Sequence, residues 1–333
     1  MPDGTVPGGE PELASYRGDL TDWLRARLGT GDLTLGAITL LPGGAVQRNW
    51  RLEIETGDQV QAVVLRVGPD MPLPESRPKS QEFMLLRLAH ARGLAVAEPL
   101  WLEPTGTVIG REFIVSEFCD GTADRNHLLA HAAGPVILEK LGVAMAEIHA
   151  MGVPDGLVPD SPRDRVETLR GWVRALGDVP AGVALGLDWL DEHVPDSGTG
   201  GVAHRDFRTG NFLLHDDRLS AVLDWEFAGA GDVAEDIGWF CARCWRGENV
   251  DWDAGGLGSR DAFYRAYTQA GGRSPEPARV HFWEVFAHLR WALIAMQQRA
   301  RAAAGEYPVW ELEEAGNRVP GLAQSIQEML GAD

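Results

Sequence analysis

A segment in the second half of the chain constrains the fold more than any other. Residues 204–211 read HRDFRTGN, and two short apolar runs follow, 212–214 and 221–223, the second ending at Asp224. Two apolar runs joined by the mostly polar residues 215–220 predict a β-hairpin. Because a hairpin brings the chain back to where it began, we expect Asp206, Asn211 and Asp224 to converge.

These three residue types suit phosphoryl transfer. That reaction needs an acceptor hydroxyl held in line, a carboxylate near its proton, and metal ions that neutralise the phosphates. We interpret Asp206 as the catalytic base, and Asn211 and Asp224 as oxygen ligands of Mg²⁺. Taken singly, Asp206 could be a turn former and Asn211 a helix cap. The combination and its spacing favour the catalytic interpretation.

The first third of the chain predicts a helix followed by a small antiparallel sheet. Apolar residues at helical spacing end at Gly29, and the turn signal TGDQ separates two β-like runs. The predicted elements are a helix over Leu13–Leu28, strands over Thr34–Leu41, Asn49–Glu55 and Val60–Val67, a helix over Ser80–Ala91 and a strand over Arg111–Phe118.

Helical patterns dominate after about residue 120. The predicted helices are Val136–Met151, Arg163–Leu176, Arg260–Ala270 and Arg279–Ala304. We therefore predict an α+β fold with a disordered tail (1–12), a sheet-rich nucleotide-binding lobe (13–118), and a mainly helical lobe (119–333) that carries the catalytic loop and the acceptor site.

The catalytic segment resembles the aminoglycoside phosphotransferase and choline kinase superfamily. Its members often read HGDxRxGNxLV, then DWE, then an acidic GD…ED pair, and this chain matches except that Arg205 replaces the usual glycine. The resemblance spans nearly the whole chain. It implies a two-lobed protein-kinase-like fold with ATP between the lobes, ATP and Mg²⁺ as cofactors, and a structural role for Asp236.

The resemblance also implies nucleotide-binding residues in the first lobe. Gly43, Gly44 and Asn49 match a GGxxxxN loop that would cover the phosphates. Arg66, at the end of the third strand, takes the place of the phosphate-binding lysine of protein kinases, and Glu82 is its expected partner. Residues 116–119 resemble the adenine-binding hinge of the family. Glu117 and Cys119 are therefore also predicted to bind the nucleotide.

Residues 236–246 and 282–286 resemble bacterial phosphotransferase-family proteins similar to the kinase domains of certain acyl-CoA dehydrogenases. This likeness favours a hydroxyacyl-type metabolite as the hydroxyl acceptor. An aminoglycoside or macrolide kinase and a catalytically silent nucleotide-binding scaffold remain alternatives. The tryptophans at 239, 245, 283 and 291 either pack in the core or line an acceptor pocket.

Charge and composition limit the partners. Lys and Arg number 30 against 49 Asp and Glu, and the net charge of −19 disfavours nucleic acid and anionic lipid. No apolar stretch reaches the roughly 20 residues of a membrane span, and the N-terminus does not read as a signal peptide. We expect a cytoplasmic monomer or homodimer without a membrane partner, its three cysteines reduced.

Overall fold

The computed structural model describes residues 13–42, 47–68, 73–130, 134–198, 200–304 and 309–331. The chain divides into two compact units, one ending at Asp120 and one beginning at Gly121. Within its described residues, the first unit contains two regular helices and a five-stranded antiparallel sheet of order β1-β2-β3-β5-β4. Its elements are α1 (Arg17–Leu28), β1 (Leu33–Leu40), β2 (Arg48–Thr56), β3 (Gln59–Val67), α2 (Lys79–Ala91), β4 (Pro99–Glu103) and β5 (Phe113–Glu117).

Alternation along the strands assigns each side chain to one face of this sheet. The β2 residues that are buried in one apolar core with α1 are Trp50, Leu52 and Ile54. On β3, Leu65 and Val67 lie in the same core. Because neighbouring residues of a strand point to opposite faces, Arg66 between them is directed to the other face of the sheet. β2 and β3 are joined by a two-residue turn whose first residue, Gly57, has φ 58°.

The second unit is mainly helical. It contains two small antiparallel strand pairs, β6 with β9 and β7 with β8, among nine described helices and two 3₁₀ turns. Its helices are α3 (Arg125–Ala130), α4 (Gly134–His149), α5 (Pro162–Leu176), α6 (Ala181–Glu192), α7 (Ala234–Cys241), α8 (Arg260–Gln269), α9 (Pro277–Ala303), α10 (Val309–Gly316) and α11 (Val319–Met329). Its strands are β6 (Gly200–Ala203), β7 (Phe212–His215), β8 (Arg218–Val222) and β9 (Gly229–Asp232), and its 3₁₀ turns are Trp225–Phe227 and Arg243–Trp245.

The 27-residue helix α9 forms the centre of this unit, where it packs against α5, α6, α7, α10 and α11. Glycines allow the closest approaches. A Cβ added to Gly238 of α7 would lie 2.4 Å from the Cβ of Trp283 on α9. Helix α5 begins with a capping box. The Ser161 hydroxyl accepts from the backbone N–H of Asp164, and the Asp164 carboxylate accepts from the backbone N–H of Ser161.

The α+β prediction, with a small antiparallel sheet before a larger helical part, is confirmed. The first predicted helix is interrupted near its start: residues 13 and 14 are helical, residues 15 and 16 form a turn, and the regular helix begins at Arg17. Leu13 packs in the core before it. The strand predicted from Arg111 begins only at Phe113, because pairing with β3 starts there opposite Val67.

No helix among the described residues is long and apolar enough to cross a bilayer.

Candidate active site

Three side chains hold the carboxylate of Asp206. Its Oδ1 accepts from Arg208 Nε at 3.0 Å and from Trp239 Nε1 at 3.2 Å, and its Oδ2 accepts from Asn211 Nδ2 at 2.6 Å. The Asp206 residue is 7% exposed. Donors on both oxygens fix the carboxylate in one orientation, which is what a base that must meet a particular hydroxyl requires.

Asp236 supports the backbone of the same loop. Its two carboxylate oxygens accept from the N–H groups of His204 and Arg205, each at 2.6 Å, and the Nε2 of His149 lies 3.1 Å from Oδ2. Burial alone would raise the pKa of Asp236, but the hydrogen bond from His149 and the charges and bonds around the carboxylate lower it below the ordinary value. Burial lowers the pKa of His204, so that this imidazole is neutral near pH 7.

The hairpin brings Asn211 beside Asp224. Phe212 of β7 pairs with Val222 of β8, and the N–H of Leu223 donates to the Asn211 carbonyl at 2.8 Å. Asp224 follows directly, with φ 60° and ψ 62°, at the start of a 3₁₀ turn. The Asn211 amide nitrogen donates to the backbone oxygen and the carboxylate of Asp206, which directs the amide oxygen elsewhere.

An amide oxygen and a carboxylate oxygen are a suitable donor set for Mg²⁺. This ion takes oxygen ligands and commonly uses one or two protein groups together with phosphates and water. Among the described residues, no group of three or more His, Cys, Asp or Glu side chains is placed to hold a metal ion. Asn211 and Asp224 would therefore hold a magnesium ion whose other ligands would be phosphate and water oxygens.

A second polar cluster lies in the first unit, on the face of the sheet opposite the α1 core. Glu82 of α2 is fully buried, with Arg66 NH2 2.9 Å from Oε1 and Lys79 Nζ 2.7 Å from Oε2. Lys79 Nζ also donates to Gln47 Oε1 at 2.6 Å. The predicted pair of Arg66 and Glu82 is thus formed, and Lys79 joins it as a second buried cation.

The structure describes some, but not all, of the other residues that were predicted to bind the nucleotide. Asn49 stands opposite Arg66 in the β2–β3 register. Gly43 and Gly44 lie outside the described residues. Glu117 is the exposed last residue of β5. Cys119 lies two residues further on, and burial and the nearby charges of Glu117 and Asp120 raise the pKa of its thiol.

The model of the phosphotransferase enzyme family matches residues 37–283, about three quarters of the chain. The chain belongs to this phosphotransferase family. The match includes the β2–β3 hairpin, the predicted catalytic loop and both predicted magnesium ligands.

Three curated relatives show the range of proteins that this chain resembles. Acyl-CoA dehydrogenase family member 10 of Mus musculus is 24% identical over 96% of this chain and 32% of its own length. Acyl-CoA dehydrogenase family member 11 of Gallus gallus is 30% identical over 61% of this chain and 27% of its own. A homoserine kinase of Rhodopseudomonas palustris is 30% identical over 49% of this chain and 52% of its own. The chain therefore spans about a quarter to a half of these relatives.

Solved structures of the family share the fold. A Ralstonia eutropha protein provisionally assigned as an aminoglycoside phosphotransferase has a TM-score of 0.72 at 22% identity, covering 94% of this chain and 97% of its own. A thermostable mutant of the aminoglycoside phosphotransferase APH(4)-Ia, in a complex with AMP-PNP and hygromycin B, has a TM-score of 0.62 at 17% identity, covering 93% and 98%. The predicted kinase-like fold is confirmed.

Arg205 is where this chain departs from the usual family motif. Its φ is 64°, a left-handed conformation that glycine adopts without cost and arginine does not. The guanidinium contacts Asp160 at 2.7 Å, Glu235 at 3.4 Å and the carbonyl of Ala230 at 2.9 Å. These buried contacts, with the Asp236 carboxylate on its N–H, hold the residue in that conformation.

Sequence reasoning missed three members of the two polar clusters. Lys79 was not predicted, although its spacing of three from Glu82 on one helix could have indicated the pair. Arg208 stands in the catalytic motif, but its contact with Asp206 has no sequence signal of its own. Trp239 was expected either in the core or in an acceptor pocket, and it is buried while also donating to Asp206.

The cysteines take no part in either cluster. Cys241 is buried at the end of α7 and Cys244 lies in a 3₁₀ turn, both as free thiols. Burial raises the pKa of each to about 12, so neither is a thiolate near pH 7.

Proposed function

We propose that this chain transfers the γ-phosphoryl group of ATP, with Mg²⁺, to a hydroxyl group of a small molecule. The observation that carries the proposal is the Asp206 carboxylate, which is oriented by Asn211, Arg208 and Trp239 while the hairpin brings Asn211 beside Asp224. A fixed carboxylate beside two oxygen ligands is the arrangement that phosphoryl transfer to an alcohol needs.

In this proposal Asp206 accepts a hydrogen bond from the acceptor hydroxyl, orients it toward the phosphorus and takes its proton as transfer proceeds. Asn211 and Asp224 would hold Mg²⁺, which when bound neutralises phosphate charge. Trp239 and Arg208 keep the carboxylate from rotating. Asp236, through the backbone of the loop, maintains the conformation that presents Asp206.

The first unit would supply the nucleotide contacts. Arg66 carries the positive charge for the phosphates, and Glu82 orients it. Lys79 balances the second oxygen of Glu82, so that the buried carboxylate has a cation on each side. The other proposed contacts are Gly43, Gly44 and Asn49 over the phosphates, and the backbone of Glu117 and Cys119 at the adenine.

For the acceptor we propose a hydroxyacyl-type metabolite. Two of the relatives are acyl-CoA dehydrogenase family members, and the chain aligns with only 32% and 27% of their lengths. A third is a homoserine kinase. These names favour a hydroxylated metabolite over an antibiotic, although the solved structures of similar fold include antibiotic phosphotransferases.

The test is release of ADP from MgATP by the purified chain, with separate pools of hydroxyacyl thioesters, amino alcohols, and aminoglycoside and macrolide antibiotics. We expect turnover with the first pool, reduced at least about 100-fold by Asp206→Ala, which removes the proposed base. Asp178→Ala, at an exposed loop position after α5, is the matched control and should leave turnover unchanged.

The outcomes separate the alternatives. Turnover with the antibiotic pool alone would replace the proposed acceptor by an antibiotic. ATP binding without turnover in any pool would favour a silent scaffold. Turnover that Asp206→Ala leaves intact would overturn the role of Asp206.

A further inference from the structure

Two arginines lie together beside Asp206, although the chain as a whole has a net charge of −19. Arg208, which donates to Asp206, places its guanidinium 5.0 Å from the ring centroid of Trp245. Arg125 NH2 donates to the Trp245 carbonyl at 3.0 Å. Both arginines also flank Gly210, where an added Cβ would lie 3.0 Å from Arg208 NH1 and 3.8 Å from Arg125 Cβ. The pair is therefore continuous with the catalytic loop.

The positive charge of this pair is only partly balanced. Within the described part of the chain, the one carboxylate in an ion pair with Arg208 is Asp206, and Arg125 is paired with none. Arg125 is half-buried, and its pKa is lowered by that burial and by the positive charges of Arg318 and Arg208. Guanidinium groups held near one another repel, so an anion bound among them would be favoured.

The Trp245 indole supplies an independent observation. Trp245 is 6% exposed, and its Nε1 is buried without a hydrogen-bond acceptor among the described residues. The ring packs between Trp239 and Trp291, at centroid distances of 5.0 and 5.3 Å. Because a buried donor without an acceptor is unfavourable, an acceptor atom carried by a ligand would be stabilised at this N–H.

We propose that Arg125, Arg208 and the Trp245 indole N–H bind an anionic group, a carboxylate or a phosphate, carried by the hydroxyl acceptor. The inference rests on the proposed function, because it assigns the acceptor side of the same site. Guanidinium groups match the planar oxygen pairs of carboxylate and phosphate. An acceptor with several positive charges, such as an aminoglycoside, would be repelled by these arginines.

The test compares matched probes by isothermal titration of the full chain. The probes are short hydroxycarboxylic acids, hydroxyalkyl phosphates, and the uncharged amides of the same hydroxy acids. We expect at least one anionic series to bind at least tenfold more tightly than the amides, and the tighter series identifies the group. Binding of neither anion, or equal binding of acid and amide, would overturn the inference.

Substitutions of the proposed anion ligands test where the anion binds. Arg125→Gln should weaken anion binding at least tenfold, and Trp245→Phe, which keeps an aromatic ring and removes the N–H, by a few-fold. Arg265→Gln, at an exposed position on α8, is the matched control and should bind as the unaltered chain does. Circular dichroism checks that each variant is folded, and undiminished binding by folded Arg125→Gln would also overturn the proposal.

ADP release from MgATP, measured in parallel with Asp206→Ala, tests the proposed function separately. Turnover that shows no preference for anionic acceptors would refute the anion site and leave the phosphotransfer proposal standing. Anion binding that depends on Arg125, without turnover of any acceptor, would support the anion site and count against the phosphotransfer proposal.

Discussion

At the scale of one residue, Arg205 combines a backbone conformation that suits glycine with a side chain that makes buried contacts. The left-handed φ of 64° suits glycine, yet the arginine is held there by contacts with Asp160, Glu235 and Ala230. The carbonyl of Arg205 accepts in addition from Arg290 NH1 at 2.7 Å. The left-handed backbone of Arg205 therefore destabilises the fold, while the contacts of its side chain stabilise it.

Two variants separate these opposing effects. Arg205→Gly and Arg205→Ala both lose the guanidinium contacts, and both should unfold more readily than the unaltered chain. The alanine variant should be less stable than the glycine variant by about 1 kcal/mol, because only alanine retains the steric cost of the left-handed conformation. Urea unfolding measures the difference. Equal stabilities would mean that the loop relaxes to another conformation.

His288 predicts how stability depends on pH. It is fully buried on α9, its Nδ1 donates to the Glu284 carbonyl, and burial lowers its pKa to about 4. The unfolded chain binds a proton at His288 near pH 6.5 and the folded chain does not, so stability is lost as pH falls below that value. The contribution is about 2 kcal/mol between pH 7 and pH 5.

His288→Gln should therefore lose about 2 kcal/mol less stability than the unaltered chain over that range. The control is His90→Gln at an exposed position of α2, whose pH dependence should match the unaltered chain. Guanidinium unfolding at pH 7 and pH 5 measures both. Identical pH dependence in all three proteins would show that His288 is protonated in the folded state.

At the scale of elements, the contact of α7 with α9 sets the position of two side chains that hold residues 204–211. Asp236, which accepts from the backbone of His204, and Trp239, which donates to Asp206, both lie on α7. Gly238 between them meets Trp283 so closely that an added Cβ would also lie 2.6 Å from the Trp283 carbonyl carbon. The positions of Asp236 and Trp239 thus depend on residue 238 having no side chain.

A pair of glycine substitutions tests this contact. Gly238→Ala should destabilise the chain by about 3 kcal/mol through overpacking, and should lower turnover by displacing Asp236 and Trp239. Gly171→Ala, inside α5 where an added Cβ meets nothing within 4 Å, should stabilise by about 0.5 to 1 kcal/mol. Thermal unfolding measures both variants. A neutral Gly238→Ala would show that α7 and α9 can separate.

At the scale of the whole molecule, the candidate residues fall in both units. The Arg66, Glu82 and Lys79 cluster belongs to the first, and the loop of Asp206 with Asn211 and Asp224 to the second. If the chain binds MgATP, binding stabilises the folded state in proportion to the logarithm of ligand concentration. Stability against denaturant then reports binding without an acceptor.

We expect MgATP at about 100 times its Kd to raise the free energy of unfolding by about 2.7 kcal/mol. Removing the metal with EDTA should reduce this gain, and Asp224→Asn should remove the part that depends on Mg²⁺ because it takes away the proposed anionic ligand. Asp178→Asn is the control. A gain that is independent of EDTA would mean that Asn211 and Asp224 do not bind magnesium with the nucleotide.

Local patterns in the sequence were sufficient to predict the antiparallel sheet, six of the eleven described helices and the hairpin that brings Asn211 beside Asp224. A hairpin depends on turn residues and on alternation within about 20 positions, and those signals can be read along the chain. The ends of elements were less predictable. β5 begins where β3 offers a strand partner. The regular part of α1 begins only after Tyr16, whose backbone is not helical.

Tertiary structure alone decided which distant side chains act on these residues. Trp239 reaches Asp206 across 33 positions of sequence, and Arg125 reaches Trp245 across 120. Such contacts carry no periodicity, because they join segments that come together only when the chain folds. The sequence by itself determined the chemical groups of the candidate site, and only the folded chain determined how those groups are oriented, buried and paired.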